Sequence, residues 1–299
     1  MEAKEILDLE NHILEQHSSK ALYGYMRIIK QYLSYIGEEA AKTAVYSHIV
    51  EYIGILRKQG VHPKTVRNRL FAIKMYYQWL VDSGQRDDHP CRDLYLKDRI
   101  NRAIPVETLF SEKELDDILK NYVDRLPLTG QRDTVVLSLA VCQAITNTEM
   151  IELKVSDIDL QRGTLALPGC VKTNARVLPL KADQIMLFNN YIKYCRPLLL
   201  RKNAEPAKAG TDAFVLSYEG NKMSHTCLSS IFRKPLANGQ KVTMQKIRQS
   251  VIANMLKRGK DLRVVQAFTG HKNVSSVEEY RQTGLDEMKN LIQKLHPLQ

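Results

Sequence analysis

The stretch FTGHKNVSSVEEY, residues 268–280, decides the fold and the chemistry expected of this 299-residue chain. It places His271, directly after Gly270, nine residues ahead of Tyr280. Tyr280 is a candidate nucleophile, because a phenol can form a covalent ester that conserves the energy of the bond it replaces. The chain has 14 tyrosines, so a single one carries little weight without its companions upstream.

Three upstream segments supply those companions. Arg248 lies in MQKIRQS, Lys172 lies between the apolar segments GTLALPG and ARVLPL, and Glu149 lies in TNTEMIELKVSDIDL. An arginine guanidinium gives two parallel hydrogen bonds to phosphate oxygens, which a lysine cannot reproduce. The order Lys172, Arg248, His271, Tyr280 therefore combines positive groups with a nucleophile.

This order and spacing resemble the catalytic domain of the tyrosine recombinases (phage-type integrases). The segments SSKALYGYMRIIKQYLSYI and GVHPKTVRNRLFAIKMYYQWLV resemble the DNA-clamping, core-binding domain of the Xer-type members. The resemblance implies a site-specific recombinase that cleaves and rejoins DNA strands through a 3′-phosphotyrosyl intermediate. It also implies that no cofactor is needed, because the ester conserves the bond energy.

The resemblance assigns a role to each candidate residue. Tyr280 corresponds to the nucleophile, and Arg248 to the arginine that binds the scissile phosphate. His271 corresponds to a histidine that hydrogen-bonds the phosphate or the tyrosine oxygen. Lys172 corresponds to the acid that protonates the departing 5′-oxygen, and Glu149 to an acidic residue that supports the site.

Two positions depart from the family pattern. Thr146 stands where the family usually carries its first arginine, and Gln245 stands where a histidine is usual. A threonine hydroxyl donates one neutral hydrogen bond and supplies no charge. Loss of one oxyanion donor costs about 2.7–4 kcal/mol, and loss of an arginine finger costs roughly 10³–10⁵ in rate. Arg176 and Lys246 are the cations that we predict to take the vacancy.

These departures leave a second hypothesis open, a weakly active DNA-binding paralogue that acts as accessory subunit or regulator of a partner recombinase. Retention of Tyr280, Arg248, His271 and Lys172 together argues against it. The atypical site favours an integrase, transposase or resolvase of a mobile element. A relaxing topoisomerase or a telomere resolvase is a more distant alternative.

The sequence predicts a mainly α protein with a small antiparallel β-sheet, in two domains. Residues 1–88 are predicted to form a helical core-binding domain, 89–110 a linker and 111–299 the catalytic domain. Helical periodicity appears in 22–36, 45–58 and 65–84. In the catalytic domain the expected strands are GTLALPG and ARVLPL, joined by KTNA as hairpin tip with Lys172 at its base. Ser111 and Glu114 form a capping box, and further helices are expected at 131–145, 148–154, 181–196, 226–236, 243–258, 261–268, 274–281 and 285–295.

The last of these, in GLDEMKNLIQKLHPLQ, is predicted to be an amphipathic C-terminal helix. Self-packing is one interpretation of its apolar face. In the resembling family a C-terminal helix docks on a neighbouring protomer, which implies a tetramer on paired DNA sites. A partner recombinase or a directionality factor remains open as a further partner.

The charge of the chain points to double-stranded DNA as partner. The net charge is +11, and residues 57–74 hold six Lys or Arg and no acid, while residues 222–281 hold twelve against three acids. Neutralised phosphates release counterions and give sequence-independent affinity. Lys64, Arg67 and Arg69 are therefore predicted to contact DNA.

Several other classes of protein are disfavoured. There is no apolar run of about 18 residues for a membrane span, and MEAKEILDLENHILEQ lacks the layout of a signal peptide. The five cysteines are scattered, and HExxH and phosphate-loop motifs are absent, so neither a metal nor a nucleotide cofactor is expected. A cytoplasmic, nucleoid-associated protein is expected.

Overall fold

A computed structural model of the chain describes residues 3–100, 104, 108–122, 127–203, 212–232 and 241–281. The chain divides into two compact units, Met1–Arg102 and Ala103–Gln299. The predicted mainly α architecture with one small antiparallel sheet is confirmed. The domain and linker boundaries proposed from the sequence stay a prediction.

The first unit is helical throughout its regular elements. Helix α5 begins where Pro63 occupies the first turn, a position that needs no backbone donor, and His62 Nδ1 accepts the Lys64 N–H at 3.2 Å. Four tyrosines, Tyr32, Tyr52, Tyr76 and Tyr77, are buried in its mainly aliphatic core. The hydroxyls of Tyr32 and Tyr77 share a hydrogen bond of 2.7 Å. The helices are α1 (Ala3–Gln16), α2 (Ser19–Ile36), α3 (Glu38–Lys42), α4 (Tyr46–Lys58) and α5 (Pro63–Asp82).

The second unit surrounds the buried helix α7 (Pro127–Gln143), in which Val135, Leu137 and Leu139 are almost fully buried. The Ser111–Glu114 capping box predicted for α6 is present. The other helices are α6 (Glu112–Lys120), α8 (Asn147–Glu152), α9 (Ala182–Asn190), α10 (Arg196–Leu200), α11 (His225–Ile231), α12 (Met244–Lys257), α13 (Leu262–Thr269) and a final described helix at 275–281. A 3₁₀ turn covers Val155–Asp157, and a π-helical turn, Tyr191–Cys195, joins α9 to α10.

The sheet has the order β1-β2-β3, with β1 (Ile158–Asp159), β2 (Thr164–Leu167) and β3 (Arg176–Pro179) all antiparallel. Leu165 pairs with Leu178, and both are buried against the core, so one face of the hairpin packs inward. The ladder ends where Leu167 pairs with Arg176, leaving residues 168–175 to connect the strands.

The predicted place of Lys172 in this connection is wrong. Cys170 and Thr173 exchange backbone hydrogen bonds of 2.8 and 3.2 Å, so Val171 and Lys172 are the central residues of the turn. Lys172 therefore lies at the exposed tip of the turn rather than at its base. Gly169, with a φ of +81°, directly precedes this turn.

Two further predicted elements differ from the structure. The helix expected at 181–196 continues through the π-helical turn to Leu200, and the helix expected at 226–236 ends at Ile231. The predicted C-terminal helix at 285–295 lies outside the described residues. No helix in the described ranges has the length and hydropathy to cross a membrane.

Candidate active site

The carboxylate of Glu149 is the centre of the candidate site. It lies in the first turn of α8, where Thr146 is the N-cap and the two residues form a capping box. Glu149 Oε2 accepts the Thr146 N–H at 2.8 Å and the Thr146 hydroxyl at 2.9 Å. The single hydroxyl hydrogen of Thr146 is thus directed to Glu149 in this structure, and a role of Thr146 in the reaction stays a prediction.

Arg176 of β3 occupies the other side of this carboxylate. Its Nη1 lies 2.5 Å from Glu149 Oε1, its Nη2 lies 3.2 Å from Oε2, and its Nε donates to the Phe268 carbonyl at 2.9 Å. Both side chains are at most 5% exposed. Burial raises the pKa of Glu149, but hydrogen bonds and charge from Arg176 outweigh it, so the net pKa is lowered. Both members of the Glu149–Arg176 pair are therefore ionised, and their hydrogen bonds hold the guanidinium in one orientation.

Gly270 is required where the Gly-His segment passes over Arg176. Gly270 has a φ of +74°, and a Cβ built on it would collide with Nη1 and lie 2.9 Å from Cζ of Arg176. Its carbonyl accepts the Asn174 N–H at 2.8 Å, and His271 forms a β-bridge with Thr173. The Thr173 hydroxyl also donates to Glu149 Oε1 at 2.8 Å. The turn that carries Lys172 is therefore bonded both to the Gly270–His271 segment and to Glu149.

Replacing Gly270 by alanine is expected to lower stability and impair the site. The left-handed backbone alone costs about 1–2 kcal/mol for a residue with a Cβ, and the added methyl group displaces Arg176 from Glu149. Thermal unfolding should show Tm reduced by at least about 2–4 °C. Gly259→Ala is the matched control, because Gly259 has a φ of +76° with no atom within 4 Å of the added Cβ. Equal losses in both variants would contradict the contact with Arg176.

Arg248 is held by two backbone carbonyls. It projects from α12, whose N-cap is Thr243, and donates to the carbonyls of Ala144 and Thr269, the latter at 2.7 Å. Ala144 has a φ of +49° directly after α7, which turns the chain out of the helix. Burial lowers the pKa of Arg248 while the charge of Glu149 raises it.

His271 is neutral in this environment. Burial, followed by the charges of Arg248 and Arg176, lowers its pKa to about 4. Its Nδ1 lies 2.6 Å from the hydroxyl oxygen of Thr269. The ring is therefore an uncharged imidazole at neutral pH.

We expect an NMR titration of the His271 ring in the free protein to give a pKa near 4, well below the ordinary value of about 6.5. The unfolded chain binds more protons between these values, so the contribution of His271 to stability rises with pH from about 4 to about 6.5. That contribution is complete above the unfolded pKa and is lost as pH falls towards the folded one. A His271 pKa at or above 6.5 would contradict the buried, cation-flanked environment.

Tyr280 lies on the final described helix, where its ring packs with Ile252, Val265 and Val277. Burial raises the pKa of its phenol, while the charge of Arg248 and a hydrogen bond with Gln249 lower it, with a net rise. The phenol is thus protonated at neutral pH, and an attack by its oxygen needs a proton acceptor.

The remaining predicted residues lie outside this group. Lys246 lies with its Nζ 4.2 Å from the centre of the Phe110 ring, and its predicted place in the vacancy stays a prediction. Gln245 is exposed one turn before Arg248 and lines a cavity of about 490 Å³ with Asn147 and Thr243.

In the first unit, Arg67 donates to the carbonyls of Leu96 at 3.3 Å and Asp98 at 3.4 Å. Lys64 is exposed and Arg69 is half-buried. DNA binding by Lys64, Arg67 and Arg69 stays a prediction. Within the described ranges, no three His, Cys, Asp or Glu side chains are grouped closely enough to hold a metal ion.

Comparison with known families decides the relationship. The model of the phage integrase family matches residues 109–285, and that of the phage integrase N-terminal SAM-like domain matches residues 9–84. The first alone covers more than half of the chain. The chain belongs to the phage integrase family. The family predicted from the sequence is therefore confirmed.

This integrase has relatives and structural neighbours that extend over nearly all of it. Tyrosine recombinase XerD of Listeria innocua is 22% identical over 94% of this chain and 93% of the relative. The XerH site-specific recombinase bound to palindromic difH aligns with TM-score 0.67 at 15% identity, over 91% of this chain and 78% of that one. The Tn1549 transposon integrase bound to transposon right end DNA gives TM-score 0.65 at 15% identity, over 96% and 98%. The structural neighbours share the fold.

Three contacts of the integrase site were missed by sequence reasoning. Thr173 follows Lys172 directly, and Thr269 stands two residues before His271, so a hydroxyl close to each candidate was the available signal. No such signal marks Gln249, because its interaction with Tyr280 joins two helices that are separate in the chain.

Proposed function

We propose that this integrase is a site-specific DNA recombinase that cleaves and rejoins duplex DNA through a 3′-phosphotyrosyl intermediate. One observation carries the proposal: Arg248 donates to the Thr269 carbonyl at 2.7 Å and Arg176 donates to the Phe268 carbonyl at 2.9 Å, so both guanidinium groups lie at the segment that leads into His271. The charge of Arg248 also lowers the pKa of the Tyr280 phenol. A phosphodiester presents the anionic oxygens that two guanidinium groups bind best.

The covalent step follows from this arrangement. Tyr280 Oη bonds to the phosphorus, and the bond from phosphorus to the 5′-oxygen breaks, which leaves the 3′-end of the strand on the tyrosine. Lys172 gives a proton to the departing 5′-oxygen. The 5′-hydroxyl of a partner strand then attacks the phosphotyrosine, so bond energy is conserved and no cofactor is needed.

Arg176 takes the place of the missing first arginine in this proposal. Its bidentate pairing with Glu149 holds its guanidinium in one orientation beside Arg248 and His271. A preorganised cation of this kind stabilises negative charge that develops in a transition state without reorganising. The hydroxyl of Thr146 helps indirectly, by binding the carboxylate that orients Arg176.

The tip of the hairpin is suited to deliver Lys172. Lys172 is exposed, so its ammonium is free to meet a bound strand, whereas the adjoining Thr173 is only 5% exposed and bound to Glu149. The anchored neighbour limits the positions that the lysine reaches. This supports Lys172 as the acid in the reaction.

The wider proposal is that the two basic stretches grip duplex DNA, through Lys64, Arg67 and Arg69 in the first. Four protomers act on paired sites, with the C-terminal segment as subunit connector. The enzyme serves a mobile element and works at the nucleoid, alone or with a partner recombinase or directionality factor. The Tn1549 neighbour is a transposon integrase by its description, which supports this context.

Denaturant trapping of covalent protein–DNA adducts in cells, followed by sequencing of the attached DNA, tests the proposal. Adducts at a defined sequence are expected. Sequence-specific occupancy without adducts would overturn it in favour of an accessory DNA-binding paralogue, the alternative that Thr146 and Gln245 raise.

A further inference from the structure

Thr269 is fully buried at the end of α13, and its hydroxyl oxygen has two close partners. The Val265 carbonyl oxygen lies 2.7 Å away, and His271 Nδ1 lies 2.6 Å away. The oxygen–oxygen distance is typical of a hydrogen bond, and the oxygen–nitrogen distance is that of a short one.

Counting hydrogens settles the direction of both bonds. A hydroxyl carries one hydrogen, and a carbonyl oxygen only accepts. An oxygen–oxygen distance of 2.7 Å without a hydrogen would set two lone pairs against each other, so the Thr269 hydroxyl donates to Val265. The hydrogen of the second bond must then come from His271, whose Nδ1–H donates to Thr269.

A neutral imidazole has one N–H, so this bond decides the state of the other ring nitrogen. With the hydrogen on Nδ1, Nε2 carries a lone pair and acts as an acceptor. The low pKa of His271, caused first by burial, keeps the ring neutral at physiological pH. A ring in this tautomer has no Nε2–H to give to a phosphate oxygen.

We propose that Thr269 is a positioning residue that holds His271 in the Nδ1–H tautomer, so that Nε2 accepts the proton of Tyr280 as the tyrosine attacks. The assignment rests on the proposed recombinase function. The phenol proton passes to Nε2 as the bond from Oη to phosphorus forms. The bond to the 5′-oxygen breaks, and that oxygen takes its proton from Lys172.

This assignment divides the work among the groups of the site. Arg248 and Arg176 supply N–H donors for the phosphate oxygens, whereas His271 supplies the acceptor that a protonated phenol requires. The resemblance left His271 with either the phosphate or the tyrosine oxygen as partner. The Nδ1–H tautomer that we propose favours the second, because it leaves Nε2 without a hydrogen to donate to the phosphate.

The tautomer is measured directly by nitrogen-15 NMR of the full chain with labelled histidine. His271→Gln identifies the resonances among those of the eight histidines. We expect the wild-type ring to show a protonated Nδ1 and an unprotonated Nε2. An Nε2–H tautomer in the wild type overturns the proposal, whether or not the protein cleaves DNA.

Two substitutions of Thr269 test its part. Thr269→Val has the same shape without the hydroxyl, and the ring is expected to shift towards the Nε2–H form. Thr269→Ser keeps the hydroxyl and should keep the wild-type tautomer. An unchanged tautomer in Thr269→Val overturns the positioning role.

Cleavage of the DNA recovered from trapped adducts gives the catalytic readout. We expect Thr269→Val to slow single-turnover cleavage by roughly 10²-fold, the scale of a lost general base, with DNA affinity unchanged and with recovery in Thr269→Ser. A shifted tautomer with unchanged cleavage would overturn the acceptor role. Failure of the proposed function would give a different result. The wild-type protein would then form no covalent DNA adducts, although its His271 ring would still show the expected Nδ1–H tautomer.

Discussion

Replacing Tyr280 by phenylalanine is expected to abolish covalent adducts while leaving fold and DNA binding in place. The ring of phenylalanine keeps the packing against Ile252, Val265 and Val277. The variant loses the attacking oxygen together with its hydrogen bond to Gln249. Removing the nucleophile of a covalent enzyme costs on the order of 10⁶ in rate, so we expect a loss of at least about 10⁴-fold.

Adduct trapping in cells and single-turnover cleavage of the recovered DNA both measure this loss. Tyr194→Phe is the matched control, since Tyr194 belongs to the same unit and is 66% exposed. The control should form adducts at the wild-type level. Adducts that persist in Tyr280→Phe would show that another residue is the nucleophile and would remove the basis of the proposed function.

The second large effect is expected at Arg176. Arg176→Ala leaves Glu149 buried without its bidentate partner, and breaking a buried pair in this way costs about 3–5 kcal/mol. Arg176→Lys keeps the charge and loses the two-pronged geometry. We expect cleavage to fall by roughly 10³–10⁵ in both variants, as for a lost arginine finger.

A reciprocal variant separates catalysis from stability. If Arg176 fills the vacancy at Thr146, the double variant Thr146→Arg with Arg176→Ala should recover part of the cleavage lost in Arg176→Ala. Arg162→Ala, at a side chain 84% exposed in the neighbouring turn, is the control for removing an arginine. A folded Arg176→Lys protein that cleaves at the wild-type rate would contradict the role of Arg176.

Local patterns predicted much of this protein correctly. The helices at 22–36, 45–58 and 243–258 follow from apolar periodicity, which reports the buried face of each helix directly. The family followed from the spacing of His271 and Tyr280 with Arg248 upstream. The hairpin was predicted, but its turn was misplaced, because strand propensity does not report where a ladder ends.

The sequence by itself determined the family, the helical class and the nucleophile candidate, since each depends on residues close together or on a fixed order along the chain. The tertiary structure alone decided which of the two predicted cations lies beside Glu149. Arg176 and Lys246 were equal candidates, yet only Arg176 reaches Glu149, 27 residues away, and the carbonyl of Phe268, 92 residues away. Lys246 is turned to Phe110 by its position on α12. Contacts across such separations arise from packing of strand on helix, and no local pattern encodes them.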